Sequence, residues 1–230
     1  MQVSATPPAD HEPADHEAAD QQAADQAAIA GAKTMLRKAI QFRRDTRSSA
    51  ERTQDDEARL LIIAGSLADR MPDSVAAYLS AGSEPGTLQL VAWLAAHRVR
   101  VLLPVLSPLT DGSRRTEPAW APYAGPDALR VGDYGLLEPT TLVLPSEQLP
   151  EAEMVICPGL ATNELGDRLG RGGGWYDRAL RHASQSAPIL VLLNDDEVLE
   201  TIPTQPWDRR VDVIVTPDRL TTCEPPVYSD

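Results

Sequence analysis

The segment RLGRGGGWYD, residues 168–177, places four glycines beside two arginines. Glycine lets a backbone approach an anion closely and point successive N–H groups at it. The guanidinium groups of Arg168 and Arg171 add charge-assisted donors that can bind two oxygens at once. An apolar run, EMVICP, precedes the segment and a helical pattern, WYDRALRHA, follows it. Ligands of α/β proteins bind beyond the carboxyl end of a strand and at a helix N-terminus, so the segment predicts a phosphate site.

The glycines follow neither of the two common nucleotide-binding fingerprints. No Gly-Lys-Ser/Thr follows them, which excludes a Walker loop, and Trp175 stands where the dinucleotide fingerprint has its last glycine. The alternative to a phosphate site is a flexible turn capped by the helix. Four glycines with two interleaved arginines favour the phosphate site, although a glycine-rich loop alone is an unspecific signal.

Two acidic and two basic residues extend this hypothesis. Asp177 falls in the first turn of the predicted helix, where an acid either complements the helix dipole or binds Mg²⁺ beside phosphates. Asp208 precedes the apolar run VDVIV, where a loop could bring it to the same edge of a sheet. Lys33 and Arg37 are four residues apart and share one helix face, either at the site or as solvated surface cations.

The elements that must position these residues alternate along the chain. Hydrophobic periodicity predicts four helices, near residues 33–45, 55–71, 83–97 and 174–184. Short apolar runs predict strands at residues 74–80, 98–105, 140–145, 153–158, 188–193 and 211–217, of which 140–145 is short and suits an edge. A Pro- and Gly-rich excursion with short β pieces occupies residues 107–137. This order predicts an α/β layered domain with a largely parallel sheet.

The N-terminal segment differs in composition from the rest of the chain. Residues 1–30 hold six acids, no lysine and no arginine, and are rich in alanine and proline. Such a segment buries too little apolar surface to offset the entropy of ordering, so it predicts a disordered acidic arm before one α/β domain at residues 31–230. The net charge of −13 argues against a nucleic-acid or anionic-membrane surface.

Cysteines and hydropathy indicate the compartment. Cys157 and Cys223 form no disulfide framework and lack metal-ligand spacing. No apolar run reaches the roughly 18–20 residues of a membrane helix, and the N-terminus lacks the pattern of a signal peptide. We therefore expect a cytoplasmic protein, without nucleic-acid or membrane partners, and a monomer.

Residues 168–177 resemble the signature of the 5-formyltetrahydrofolate cyclo-ligase family, Arg-Leu-Gly-x-Gly-x-Gly followed by an aromatic residue, Tyr and Asp. Five further segments resemble elements of that family, in the same order: KTMLR, YLSAGSEPGT, YGLLEP, VICPGLA and PWDRRVDVIVTP. The resemblance runs from about Lys33 to Pro217 and covers nearly all of the predicted domain. The Arg-Leu-Gly motif is specific, whereas the other segments are weak singly and persuasive in sequence.

The resemblance implies a three-layer α/β/α fold with a mostly parallel sheet, similar to sugar-phosphate isomerases and CoA transferases. It implies an enzyme of folate and one-carbon metabolism that converts 5-formyltetrahydrofolate to 5,10-methenyltetrahydrofolate with ATP as co-substrate and Mg²⁺ as cofactor. ADP and phosphate would be released through a phosphorylated formyl group, an iminium phosphate.

Each matched position takes a role from the resemblance. The family's pattern assigns catalysis to Arg171 and Lys33, and Mg²⁺ binding to Asp177 and Asp208. ATP would be bound by Lys33, Arg37, Arg168, Leu169, Gly170, Arg171, Gly172, Gly173, Gly174, Trp175 and Tyr176. Reduced folate would contact Leu79, Glu84, Tyr134 and Trp175, with Glu84 accepting from the pterin N–H groups. For Trp175 and Tyr176, plain core packing is an equally good interpretation.

Several positions depart from the family's pattern. Thr162 and Asn163 replace a Phe-Asp pair, Asp195, Asp196 and Glu197 appear where a Gln-containing pattern is usual, and Trp207 replaces a histidine. These departures leave open a divergent or non-catalytic relative that binds phosphate or folate. A sugar-phosphate isomerase is a third hypothesis, which would show no ATP dependence.

Overall fold

The computed structural model describes residues 12–205 and 208–224. Its helices are α1 (Glu12–Thr46), α2 (Ser49–Ser66), α3 (Leu88–Ala96) and α4 (Trp175–Ala179). The start of α2 is fixed by a capping box, in which the Ser48 side chain accepts from the backbone of Glu51 and the Glu51 carboxylate accepts from the backbone of Ser48. None of the helices in these residues is long and apolar enough to cross a membrane.

Eight strands form one sheet in the order β12-β11-β10-β7-β1-β2-β3-β6. The strands of the chain are β1 (Ser74–Ala76), β2 (Arg100–Val105), β3 (Ala119–Pro122), β4 (Leu129–Val131), β5 (Leu137–Pro139), β6 (Leu144–Pro145), β7 (Met154–Pro158), β8 (Ala161–Thr162), β9 (Arg168–Leu169), β10 (Ile189–Leu192), β11 (Val213–Val215) and β12 (Leu220–Thr222). The central strands β11, β10, β7, β1 and β2 are parallel, and β12, β3 and β6 add antiparallel edges. The short strand predicted at residues 140–145 is the edge strand β6.

Both faces of the sheet are covered, as parallel sheets require. On β2, Val101 and Leu103 point into one apolar cluster with α2 and α3, and Leu102 points into a second cluster with α4. Because successive side chains of a strand alternate between faces, one buried strand supplies both clusters. This arrangement confirms the α/β fold with a mostly parallel sheet.

Helix α1 lies at the edge of the sheet where the ligand residues are expected. Ile40 is fully buried against Leu160, Ala161, Leu169 and Ile202, so α1 packs on the β8–β9 hairpin. The same helix carries Lys33 and Arg37. The packing of Ile40 therefore sets how these two cations approach residues 170–174, the glycine loop.

The structure differs from the sequence prediction in the length of this helix and in the face that it packs inward. Described residues of the predicted arm belong to α1 from Glu12 onward, because alanine has the highest helix propensity and the segment is rich in it. Side chains between Asp20 and Ala28 are all exposed, so this part of the helix is not packed on the domain. Met35 and Phe42, which the helical pattern assigns to the apolar stripe, are 74% and 71% exposed.

Candidate nucleotide and folate site

The glycine loop lies at the carboxyl edge of the parallel strands, between the β8–β9 hairpin and α4. Gly172 and Gly174 have φ angles of +101° and +65°, which side-chain-bearing residues rarely adopt, and Gly174 caps the N-terminus of α4. A Cβ atom on Gly172 would lie 3.4 Å from the guanidinium carbon of Arg37. Arg37 in turn donates from Nε to the carbonyl of Gly170 at 2.8 Å. Helix α1 and the loop are thus held together by a cation that lies directly on the glycines.

The hairpin that leads to Arg168 is fixed by buried polar residues. Thr162 donates to the carbonyl oxygen of Asp167 at 2.7 Å, and Asn163 donates to the Asp167 carboxylate at 3.0 Å. The Asp167 N–H donates back to the Asn163 side chain at 2.9 Å. The Thr162-Asn163 departure from the family's pattern therefore supports the hairpin and does not line the cavities described next.

One polar cavity of about 340 Å³, the cation pocket, opens between α1, the glycine loop and α4. It is lined by Lys33, Arg37, Arg168, Leu169, Gly170, Gly172, Gly174, Asp177, Arg178, Arg181, Gln205 and Asp208. Five of these side chains are cationic and two are carboxylates, which leaves a formal excess of three positive charges. Such a pocket suits a polyanion.

Each carboxylate of the cation pocket pairs with one of its cations. Lys33, which is 5% exposed, donates to Asp208 at 2.5 Å and to Gln205 at 3.2 Å. Arg168 is 6% exposed and donates to Asp177 at 2.7 Å and to the Pro158 carbonyl at 3.1 Å. These pairs hold buried cations that would otherwise carry a large desolvation cost.

A second cavity of about 230 Å³, the aromatic cavity, shares the glycine loop as a wall with the cation pocket. Its lining comprises Tyr78, Leu79, Glu84, Pro104, Leu106, Leu136, Pro158, Gly159, Arg168, Gly170, Arg171, Gly172, Gly173, Gly174, Trp175, Tyr176 and Asp177. Carboxyl ends of β1, β2 and β7 contribute to it, together with the turn before β5. A flat aromatic ligand in this cavity would reach the polyanion site across Arg168 and the glycines.

Charged and aromatic groups shape the aromatic cavity. Arg171 pairs with Glu84 at 3.0 Å, and Glu84 also accepts from the backbone N–H of Ala81 at 2.8 Å. Trp175 and Tyr176 line the cavity and also pack edge-on against the buried Trp120, with ring centroids 5.2 and 6.5 Å away. Both interpretations of this aromatic pair, ligand wall and core packing, therefore fit its geometry.

Burial suppresses ionisation around the aromatic cavity. It raises the pKa of Tyr78 and of Tyr176 well above the usual range of a phenol. Burial also raises the pKa of the thiol of Cys157, which precedes the cavity residue Pro158, to about 11. These groups are neutral at physiological pH, so the charges that face a ligand belong to the arginines, the lysine and the carboxylates.

The two cavities divide the residues that the sequence predicts for the site. The ATP set splits, because Gly173, Trp175, Tyr176 and Arg171 line the aromatic cavity and not the cation pocket. Leu79, Glu84 and Trp175, predicted for folate, line the aromatic cavity. The expectations for the Tyr134 side chain and for Trp207 fall outside the described residues.

Sequence reasoning missed residues that the fold brings to the same place. Arg178, Arg181 and Gln205 line the cation pocket, and Gly159 lines the aromatic cavity. Arg178 could have been found from its position next to Asp177 in the motif. Gln205 lies just before the segment PWDRRVDVIVTP, and no local pattern marks it as a pocket residue.

Comparisons with known proteins find relatives in sequence and in structure. The sequence pattern of the 5-formyltetrahydrofolate cyclo-ligase family matches residues 29–217. A 5-formyltetrahydrofolate cyclo-ligase of Mycolicibacterium smegmatis is 37% identical over 190 residues, 82% of this chain and 95% of the relative. One from Escherichia coli is 31% identical over 152 residues, 65% of this chain and 81% of the relative. The NMR structure of Aquifex aeolicus 5,10-methenyltetrahydrofolate synthetase superposes with a TM-score of 0.70 at 25% identity, covering 86% of this chain and 96% of that one.

Proposed function

The chain belongs to the 5-formyltetrahydrofolate cyclo-ligase family and is an ATP-dependent enzyme of that activity, and we propose that its two adjoining cavities hold the two substrates. The cation pocket would bind the polyphosphate of ATP, and the aromatic cavity would bind the reduced folate. The observation that carries this proposal is the shared wall, since Arg168, Asp177 and the glycine loop line both cavities. A phosphoryl group can pass between two ligands only where their sites meet.

Polyphosphate binding follows from the charges and the loop. Lys33 and Arg37 would donate to phosphate oxygens, and the backbone N–H groups of the glycine loop would add neutral donors close to the anion. Arg168 is already anchored by Asp177 and the Pro158 carbonyl, so its guanidinium is oriented before a ligand binds. Orientation in advance lowers the entropic cost of binding.

The carboxylates fit Mg²⁺ as the cofactor. Asp177 and Asp208 line the same pocket, and one oxygen of each, Oδ2 of Asp177 and Oδ1 of Asp208, accepts no hydrogen bond from the residues that the structure describes. Mg²⁺ is bound in proteins by one or two carboxylates together with substrate phosphates. When bound, the ion would neutralise charge on the phosphates. Lys33 and Arg168 would keep the two carboxylates aimed at the pocket.

The reaction needs a better leaving group than an amide oxygen. We propose that the formyl oxygen attacks the γ-phosphorus of ATP, the bond to the ADP oxygen breaks, and the formyl carbon becomes an iminium phosphate. N10 then attacks that carbon and loses its proton, and the C–O bond breaks to release phosphate. Positioning and charge neutralisation are the protein's tasks in such a transfer.

Two charged residues of the aromatic cavity would change partners when substrates bind. Arg171 pairs with Glu84 at 3.0 Å, and its side chain is half exposed. We propose that Glu84 turns to the N–H donors of the pterin and that Arg171 is thereby free to contact the transferred phosphoryl group. Leu79 and Trp175 would pack against the ring system.

The direct test mixes purified protein with 5-formyltetrahydrofolate, ATP and Mg²⁺ and follows the absorbance of the methenyl product. We expect product only when ATP is present, with one ADP and one phosphate released for each product molecule. No product with or without ATP would exclude the enzyme, and product without ATP would exclude the phosphorylated intermediate.

We also propose a cytoplasmic monomer made of an acidic N-terminal extension and one catalytic domain. Both cysteines are free and buried, which suits a reducing compartment. Gel filtration with light scattering tests the monomer, and a mass near twice 24.9 kDa would contradict it.

A further inference from the structure

We propose that Arg178 is an additional polyphosphate-binding residue of the cation pocket, beyond the positions that the family signature assigns. This inference rests on the proposed nucleotide site. Arg178 lies in α4, one residue after Asp177, and lines the pocket with Lys33 and Arg37. The residues around it distinguish it from an ordinary surface arginine.

The charge of the pocket is not balanced without a ligand. Lys33 and Arg168 are each paired with a carboxylate, at 2.5 and 2.7 Å. The uncompensated positive charge therefore belongs to Arg37, Arg178 and Arg181. Arg37 is committed through Nε to the carbonyl of Gly170, and Arg181 is exposed to solvent. Arg178 is the partly buried cation of this group whose guanidinium has no acceptor in the described part of the chain.

The Nε atom of Arg178 carries the strongest evidence. It is buried from solvent and has no hydrogen-bond partner among the described residues. A buried N–H without an acceptor destabilises a protein, and native structures rarely keep one without a reason. An anion bound in the pocket would supply the missing acceptor, as a phosphate oxygen that takes the guanidinium N–H groups in pairs.

Gly174 explains how Arg178 reaches the glycine loop. A Cβ atom at position 174 would lie 3.3 Å from Nη1 of Arg178, closer than side chains normally allow. Glycine at this position therefore supplies the left-handed turn and also lets the guanidinium lie over the loop. The loop N–H groups and the Arg178 guanidinium can then bind one polyphosphate from two sides.

The test uses inorganic tripolyphosphate as the probe, with binding measured by titration calorimetry in the absence of folate. We expect the wild-type protein to bind it and Arg178→Met to bind it roughly ten- to a hundredfold more weakly, the usual range for a lost charge-assisted hydrogen bond. Arg178→Met keeps the aliphatic packing of the side chain and removes only the guanidinium. Arg70→Met is the matched control, because Arg70 is exposed and pairs with Glu153 away from both cavities.

Steady-state kinetics give a second readout that a structural role would not produce. Arg178→Met should raise the KM for ATP by a similar factor and leave the KM for 5-formyltetrahydrofolate within twofold. Should Arg178→Met fail to fold, Arg178→Lys replaces it, because lysine keeps the charge and lacks the Nε donor. We expect Arg178→Lys to bind tripolyphosphate at least threefold more weakly than the wild type.

The outcomes separate this inference from the proposed function. A wild-type protein that does not bind tripolyphosphate contradicts the nucleotide pocket itself. A wild-type protein that binds it, with folded Arg178 variants that bind equally well, overturns the role of Arg178 alone. Equal rises in both KM values would make Arg178 a structural residue and would also overturn the inference.

Discussion

Replacing Asp177 by asparagine should remove most of the effect of Mg²⁺ on ATP binding while leaving binding of metal-free ATP intact. The cation pocket has a formal excess of three positive charges, and the substitution raises it to four. Metal-free ATP should therefore bind Asp177→Asn as tightly as wild type or more tightly. A neutral amide is a weak ligand for Mg²⁺, so the metal should no longer tighten binding.

The size of the effect follows from one unit charge at close range. Two unit charges about 4 Å apart interact by about 1 kcal/mol in water and about 4 kcal/mol near a protein surface. Because the Asp177 side chain is 27% exposed, the lower half of this range applies, about 1–2 kcal/mol. We expect the tightening by Mg²⁺ to fall about 5- to 30-fold, and turnover to fall at least as much.

The variant should remain folded. Its amide oxygen can still accept from Nη2 of Arg168, which lies 2.7 Å from the present carboxylate, and Arg168 keeps the Pro158 carbonyl. Loss of charge in one such hydrogen bond lowers the free energy of unfolding by about 1–2 kcal/mol. Thermal unfolding of the variant and the wild type measures this difference. Asp69→Asn, an exposed position beyond the end of α2, is the control.

Calorimetry with a non-hydrolysable ATP analogue, in EDTA and then in Mg²⁺, gives the comparison. A folded Asp177→Asn protein whose affinity for the analogue rises with Mg²⁺ as much as that of the wild type would refute the metal role of Asp177.

Three further predictions concern parts of the protein outside the two cavities. Glu197→Ala should destabilise the protein by about 3–5 kcal/mol in denaturant titrations, because it leaves the fully buried Arg44 without its carboxylate partner; a loss below 1 kcal/mol would contradict this. Burial alone would raise the pKa of Glu138, but hydrogen bonds from Ser107 and Arg130 lower it, so its contribution is complete above the ordinary carboxylate pKa and is lost as pH falls through the lowered value. Stability measured from pH 6 to 3 should thus fall less steeply in Glu138→Gln, and equal slopes would contradict the stabilising role of the ionised Glu138 carboxylate. Deleting residues 1–28, whose described side chains are exposed, should leave kcat/KM within twofold, and a tenfold loss would give the extension a function.

The order of elements was predictable because buried strands and amphipathic helices have strong local patterns. All the predicted strands of the sheet are present, and parallel pairing followed from their alternation with helices. The glycine loop was predictable for the same reason, since its chemistry lies within ten consecutive residues. The helical structure of residues 12–30 was not predictable, because their high alanine content favours a helix while their low hydrophobicity suggests disorder. Composition alone does not show which of these two effects is larger.

Long-range pairs were beyond local reasoning. Lys33 and Asp208 are 175 residues apart and meet because α1 packs on the β8–β9 hairpin. Arg44 is in an amphipathic helix, where an arginine is expected in solvent, and it is buried because Glu197 approaches from the end of β10. Each pair depends on which helix face packs inward, and the exposed Met35 and Phe42 show that apolar residues alone did not predict that face.

The central claim is that polyphosphate and its metal lie between α1, the glycine loop and α4. A crystal structure with a non-hydrolysable ATP analogue and Mn²⁺, located by its anomalous signal, tests it most directly. We predict a metal peak within coordination distance of Asp177 and Asp208, with the phosphates against Lys33, Arg37 and the loop N–H groups. A nucleotide bound elsewhere, or a metal that contacts neither aspartate, would contradict the account.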